Sequence, residues 1–173
     1  MIYNNEEASN KRMITYKLMR ITKDGRLFPL FVDSKKEMKT GKWLTAEIGQ
    51  LADGTHVKSK IGSLSLRPGF HSTKIPFADW IGKKGKDGLL YQAPDTVWCE
   101  CTVEGEQVHE FGKNGLRTIP NGWYYFKTNK AQIDPWIISD KIKIERILSD
   151  EEVKEICVSL GHTPQPRWTE EVA

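Results

Sequence analysis

With 173 residues, 38% of them hydrophobic and 28% charged, the chain is long enough to bury one core without disulfide or metal staples and too apolar to be disordered. Its 26 basic against 23 acidic side chains leave a net charge of +3, too small for an electrostatic footprint on nucleic acid unless locally clustered. No apolar run approaches the roughly 18 residues needed to span a bilayer, and the start Met1-Ile2-Tyr3-Asn4-Asn5 is neither basic nor apolar, so a cytoplasmic protein without membrane contact is expected.

The first 13 residues are polar and unpatterned and read as a flexible arm, followed by one domain over 14–162 and an extended tail over 163–173. Ile14 to Ile21 and Leu27 to Asp33 read as strands joined by the turn Lys23-Asp24-Gly25, with Pro29 confining the second to a sheet edge. Gly41 to Glu47 reads as a short extended segment, and Gly49 to Ser63, rich in glycine and polar residues, as a long surface loop. Leu64 to Thr73 is extended around a bend at Pro68-Gly69. Phe77, Ala78, Trp80 and Ile81 are spaced as on a short central helix from Ile75 to Lys84, with Pro76 in its first turn.

Thr96 to Val103 carries the clearest strand pattern, with Val97, Cys99, Cys101 and Val103 on one face and Trp98, Glu100 and Thr102 on the other. Residues 105–121 read as a loop, and Trp123 to Lys127 and Trp136 to Leu148 as further strands. The chain then enters an amphipathic helix in which Ser149 and Glu152 form a capping box, Val153, Ile156, Cys157 and Leu160 form one stripe, and Gly161 follows the last turn. The expected fold is α+β, mainly antiparallel sheet with a short central helix and a C-terminal amphipathic helix. Cys99 and Cys101, two apart on a strand, share a face but are poorly placed to bridge each other. A zinc site would need a second ligand pair and finds only His109 nearby, so reduced thiols and no metal are expected.

No phosphate-binding glycine loop, nucleophile elbow or metal-binding helix motif is present. The densest constellation is Arg67-Pro68-Gly69-Phe70-His71-Ser72-Thr73. There Gly69 permits close approach to the backbone, Phe70 and Ser72 share one strand face, and His71 and Thr73 share the other. His71 is expected to line a concave site with Arg67. Glu100 in mid-strand is either solvated or aimed into a cleft as a base or cation-stabilising group, and Glu47 carries the same ambiguity. Lys35, Lys36, Lys39 and Lys42, with Lys58, Lys60, Lys83, Lys84 and Lys86, form a solvated rim or a phosphate-binding edge.

The stretches Lys23 to Leu30, Gly41 to Glu47, Leu66 to His71, Val97-Trp98-Cys99-Glu100 and Thr128 to Ile138 together resemble a domain of the large polyvalent proteins of bacteriophages and conjugative elements. The likeness runs from about Tyr16 to Arg167 and implies an accessory protein working in a bacterial host cytosol. Gly69-Phe70-His71-Ser72-Thr73 also resembles the second motif of ADP-ribosyltransferases, with Tyr16-Lys17 at the first-motif position and Glu100 or Glu104 at the last. That resemblance implies NAD or a related nucleotide as ligand, with Phe70 against the nicotinamide, Arg67 on a phosphate and Glu100 at the ribose. A module that inhibits or shields a host defence protein, or one that binds nucleic acid, is the alternative, the first favoured by the missing catalytic motifs and the six tryptophans.

Overall fold

Among the described residues, runs of alternating apolar residues form sheet, and only the stretch with helical caps at both ends forms an α-helix. The computed structural model describes residues 11–54, 56–65, 67–108, 116–128 and 134–173. In chain order its strands are β1 (Arg12–Ile21), β2 (Leu27–Phe28), β3 (Trp43–Thr45), β4 (Leu51–Asp53), β5 (His56–Ser59), β6 (Gly62–Ser65), β7 (Phe70–Ser72), β8 (Lys83–Lys84), β9 (Leu90–Tyr91), β10 (Thr96–Glu104), β11 (Trp123–Phe126), β12 (Trp136–Ser139) and β13 (Lys141–Ile147). Helix α1 (Asp150–Ser159) and a 3-10 turn at Glu170–Val172 follow. The named strand ladders are all antiparallel, in sheets ordered β2-β1-β10-β13-β3, β11-β12-β7, β4-β5-β6 and β8-β9.

Two further contacts join the first two sheets into a ring of five strands. Tyr16 and Thr73 exchange backbone hydrogen bonds of 2.8 and 2.7 Å, which sets the end of β7 against the edge of β1 that β2 covers only at Arg20 and Ile21. The residues just after β10 lie parallel to β11, Val108 N donating to Trp123 O at 2.8 Å and Trp123 N to Glu106 O at 3.2 Å. Hydrogen bonding can therefore be followed from β1 through β7, β12, β11 and β10 back to β1.

Strand alternation then fixes what faces the interior. Thr15, Lys17 and Met19 of β1 stand across from Cys101, Cys99 and Val97 of β10. Phe70 and Ser72 of β7 stand across from Ser139 and Ile137 of β12. Met19, Cys99, Cys101 and Val103 pack together with Phe70 and Trp123 in one core. On the outer side of β1 and β10, Tyr16, Leu18 and Trp98 form a second core with Ile75, Ala78 and Leu148 under Val153 and Cys157 of α1.

The central helix expected over Ile75 to Lys84 does not form. Pro76 supplies no N–H, Phe77 N bonds back to Ile75 O at 2.7 Å, and only a single turn from Ala78 O to Ile81 N follows before Lys83 enters β8. The helix-like spacing arises because Ile75 and Ala78 are buried while Phe77, Trp80 and Ile81 pack from outside, one side chain at a time. The expected loop over Gly49 to Ser63 is likewise folded, into β4, β5 and the start of β6, with Val57 as its buried residue. β2 is the edge of its sheet as expected, but it stops at Phe28, directly before Pro29, so the strand expected as far as Asp33 does not form beyond that point. Of the expected N-terminal arm, residues 1–10 lie outside the described residues, and β1 starts at Arg12.

Helix α1 follows its capping signals, but of the expected apolar stripe only Val153 and Cys157 are buried, and Leu160, at the C-cap, is exposed. The Ser149 side chain accepts from Glu152 N at 3.1 Å and Glu152 returns a contact to Ser149 N at 3.1 Å. At the other end Gly161, with φ of 79°, turns the chain so that His162 N reaches Cys157 O at 2.8 Å. Ser149→Ala is expected to destabilise the protein by about 1 kcal/mol in urea denaturation, since it orphans a first-turn N–H. An unchanged midpoint would mean that packing alone holds the helix.

The tail is fastened rather than draped. Arg167 grips both carboxylate oxygens of Asp150 at 2.8 and 2.9 Å and donates to Ala93 O and Thr96 O at 3.1 and 2.9 Å, while Gln92 exchanges backbone bonds with Pro166 and Trp168. Among the described residues no helix is long and apolar enough to cross a membrane.

Candidate functional site

Arg67 to Thr73 forms a bend leading into a strand, as its sequence suggests. Gly69 has φ of 132°, and a side chain there would come within 2.6 Å of Ile138 Cγ2 and 3.0 Å of Ser139 O. Its role is thus close approach of β7 to its own neighbour β12, not to a ligand. From that bend the strand sends Phe70 and Ser72 into the ring and His71 to the outside, where the His71 ring stands edge-on to Trp136 at 5.7 Å. Trp136 is in turn edge-on to Trp80 at 5.7 Å.

The outer face of β7, β12 and β11 concentrates aromatic and basic groups. Tyr124, Phe126 and Ile138 form its buried layer, with Leu116 and Trp136 packed against them. The Arg67 guanidinium lies 4.4 Å above the Phe126 ring, a cation–π contact. Burial lowers the pKa of Arg67, and the nearby positive charge of Arg117 lowers it further. His71 is held down to about 4, first by burial and then by the charge of Lys17, so its ring is neutral at physiological pH. The Arg67 guanidinium, a neutral imidazole and the half-buried Trp136 ring thus share one sheet face, with Arg117 within electrostatic reach of Arg67.

Lys17 belongs to a different place. It points into the ring, partly buried, and its ammonium donates to His71 O at 2.8 Å. Loss of hydration lowers its pKa. The same burial pushes the Cys99 thiol up to about 12 and Cys101 further, so both are inert thiols. Cys99, Cys101 and Cys157 are all free and buried. His109, the one nearby partner for a zinc site, lies outside the described residues, among which no group of three candidate ligands is placed to hold a metal.

Tyr16 and Glu100 are cross-strand neighbours on the outer face of β1 and β10. The Tyr16 hydroxyl is raised by burial first and by Glu100 second. The Glu100 carboxylate accepts from Arg146 Nε at 3.3 Å, and Arg146 also pairs with Glu152 of α1. Glu47, beyond the end of edge strand β3, is exposed and paired with Lys36. Compared with known proteins, the chain matches no family model, no curated protein and no solved structure.

The nine residues singled out from sequence therefore divide. Lys17, Phe70 and Ser72 face the ring interior; Arg67 and His71 lie on the outer aromatic face; Tyr16 and Glu100 form a pair beside α1; Gly69 packs on β12; Glu47 stands apart. Phe70, half-buried, packs against the inner core, on the opposite face of β7 from the ring on which Arg67 sits. Sequence reading missed Arg117 and Phe126, because only a folded sheet reveals which loop cation falls beside Arg67. It also missed Ser139, whose inward direction depends on pairing with Phe70.

Proposed function

We propose that this is an accessory protein of a phage or mobile element that binds an anionic, nucleotide-like ligand on the outer face of β7, β12 and β11 and transfers no ADP-ribose. Arg67 and Arg117 contact phosphate in this reading, and Trp136 takes the place expected of Phe70 as the ring beside the base. The observation that carries the proposal is the Arg67 guanidinium seated 4.4 Å above the Phe126 ring on this aromatic face, within electrostatic reach of Arg117. A guanidinium recognises phosphate through the N–H groups in its plane while its face rests on an aromatic ring. Neutral His71 adds a hydrogen-bonding group without a third charge. Binding without transfer is supported by Glu100, whose carboxylate is engaged by Arg146 beside α1 instead of standing next to Arg67.

Titration calorimetry with ADP, AMP and NAD tests this. Arg67→Ala and Arg117→Ala are each expected to weaken ADP binding about 10–100-fold, the range for losing a charged hydrogen bond. No heat from the wild-type protein at millimolar nucleotide removes the proposal. Release of nicotinamide from NAD restores the transferase reading, and tighter, salt-dependent binding of a single-stranded oligonucleotide moves the ligand class to nucleic acid.

A further inference from the structure

The ring interior holds polar groups that the outer face does not use. The hydroxyls of Thr15, Ser72 and Ser139 are fully buried and have no hydrogen-bond partner among the described residues. Leaving a buried hydroxyl unpaired costs about 1–3 kcal/mol, so three in one small interior call for an occupant. The ammonium of Lys17 enters the same interior with His71 O as its one hydrogen-bond partner among the described residues.

The stagger of the ring brings these groups to one level. Extending the Tyr16–Thr73 pairing sets Met19 opposite Phe70, which pairs with Ser139, then Trp123, then Gln107, yet Met19 pairs directly with Val97. One circuit therefore advances ten residues along β10, or two per strand. Correcting for that tilt, Thr15, Ser72 and Ser139 share a level, and Lys17 occupies the adjacent one, directly opposite Ser72 in register. A cleft of about 690 Å³ at the end where residues 105–107 meet β11 is lined in part by the inner-face residues Met13 and Trp123, with Lys11, Arg12 and Glu106 at its rim.

We propose that the ring interior is a binding site for a small inorganic anion, held by the Lys17 ammonium and the hydroxyls of Ser72, Thr15 and Ser139. An ammonium and three hydroxyls offer donors only to such a guest, and they satisfy all three unpartnered oxygens at once. Its size class is that of a halide, since five strands enclose little more than their own side chains.

Halide titration is the test, with thermal melting followed at constant ionic strength as gluconate is exchanged for chloride. The melting temperature is expected to rise by about 7 °C once chloride exceeds half-saturation roughly a hundredfold. Lys17→Met should abolish the dependence, and Ser72→Ala should weaken it severalfold while leaving the fold intact. Bromide-soaked wild-type crystals should show an anomalous peak beside Lys17 Nζ, a readout that survives if Lys17→Met does not fold. A flat chloride response, an unchanged response in Ser72→Ala and Lys17→Met, or bromide confined to the outer surface overturns the proposal in favour of water.

Discussion

Trp98→Ala should lower the unfolding free energy by about 3–5 kcal/mol, the largest loss expected from any single truncation in this protein. The side chain is 2% exposed and packs at the centre of the outer core with Tyr16, Leu18, Ile75, Ala78, Leu148, Val153 and Cys157. It contacts three structures at once: strand β1 across the ladder, the irregular segment that begins at Ile75, and helix α1. Its own carbonyl also accepts from Leu148 N at 2.9 Å, where β13 turns towards the helix. Removing the indole leaves a cavity that none of these can fill without abandoning another contact. Urea denaturation measures the effect, and a loss below about 1 kcal/mol would show that the helix and the segment before β8 collapse into the gap.

The second large effect is acid destabilisation through His71. In the unfolded chain the imidazole titrates near 6.5, and in the folded protein near 4, because burial and the Lys17 charge oppose a second positive charge there. Between those two values the unfolded state binds the extra proton and the folded state does not. Stability is therefore complete above pH 6.5 and falls as pH drops towards 4. The gap corresponds to up to about 3 kcal/mol, at about 1.36 kcal/mol per pH unit. Urea midpoints at pH 7 and 4.5 should differ strongly in the wild type and much less in His71→Gln. Equal slopes in the two proteins would assign the acid sensitivity to the carboxylates instead.

The parts of the fold written in local chemistry could be read from the sequence. The alternation from Thr96 to Val103 gave both faces of β10 correctly, Pro29 marked β2 as an edge although the strand was expected to run on to Asp33, and Ser149, Glu152 and Gly161 bounded α1. The segment after Ile75 misled because buried Ala78 and half-buried Phe77, Trp80 and Ile81 pack on a core built from distant residues, Trp98 and Cys157 among them, and the resulting spacing imitates a helix. Val57 was hidden for a related reason: one buried residue among lysines, serines and glycines does not announce a three-stranded sheet. At the candidate sites the alternation of Phe70, His71 and Ser72 was legible, but not which side was the interior. That depended on Thr73 meeting Tyr16, 57 positions earlier, and on residues 106–108 meeting Trp123.

Closure of the five-strand ring sets the order in which the chain can fold. β1, the first strand, has only the two residues of β2 as a nearby ladder partner, and its full-length partner β10 begins at Thr96. β7 likewise waits for β12, which begins at Trp136. During synthesis the first half of the chain therefore emerges with its inward-facing residues, Met19 and Phe70 among them, exposed to water and to other chains. Each such long-range pairing must pay loop-closure entropy before it returns any packing, which makes folding of this topology slow relative to a helical protein of equal length. The Arg167 clasp on Asp150 and on the carbonyls before β10 comes last of all, so the finished protein is locked by residues that leave the ribosome only after every strand is available.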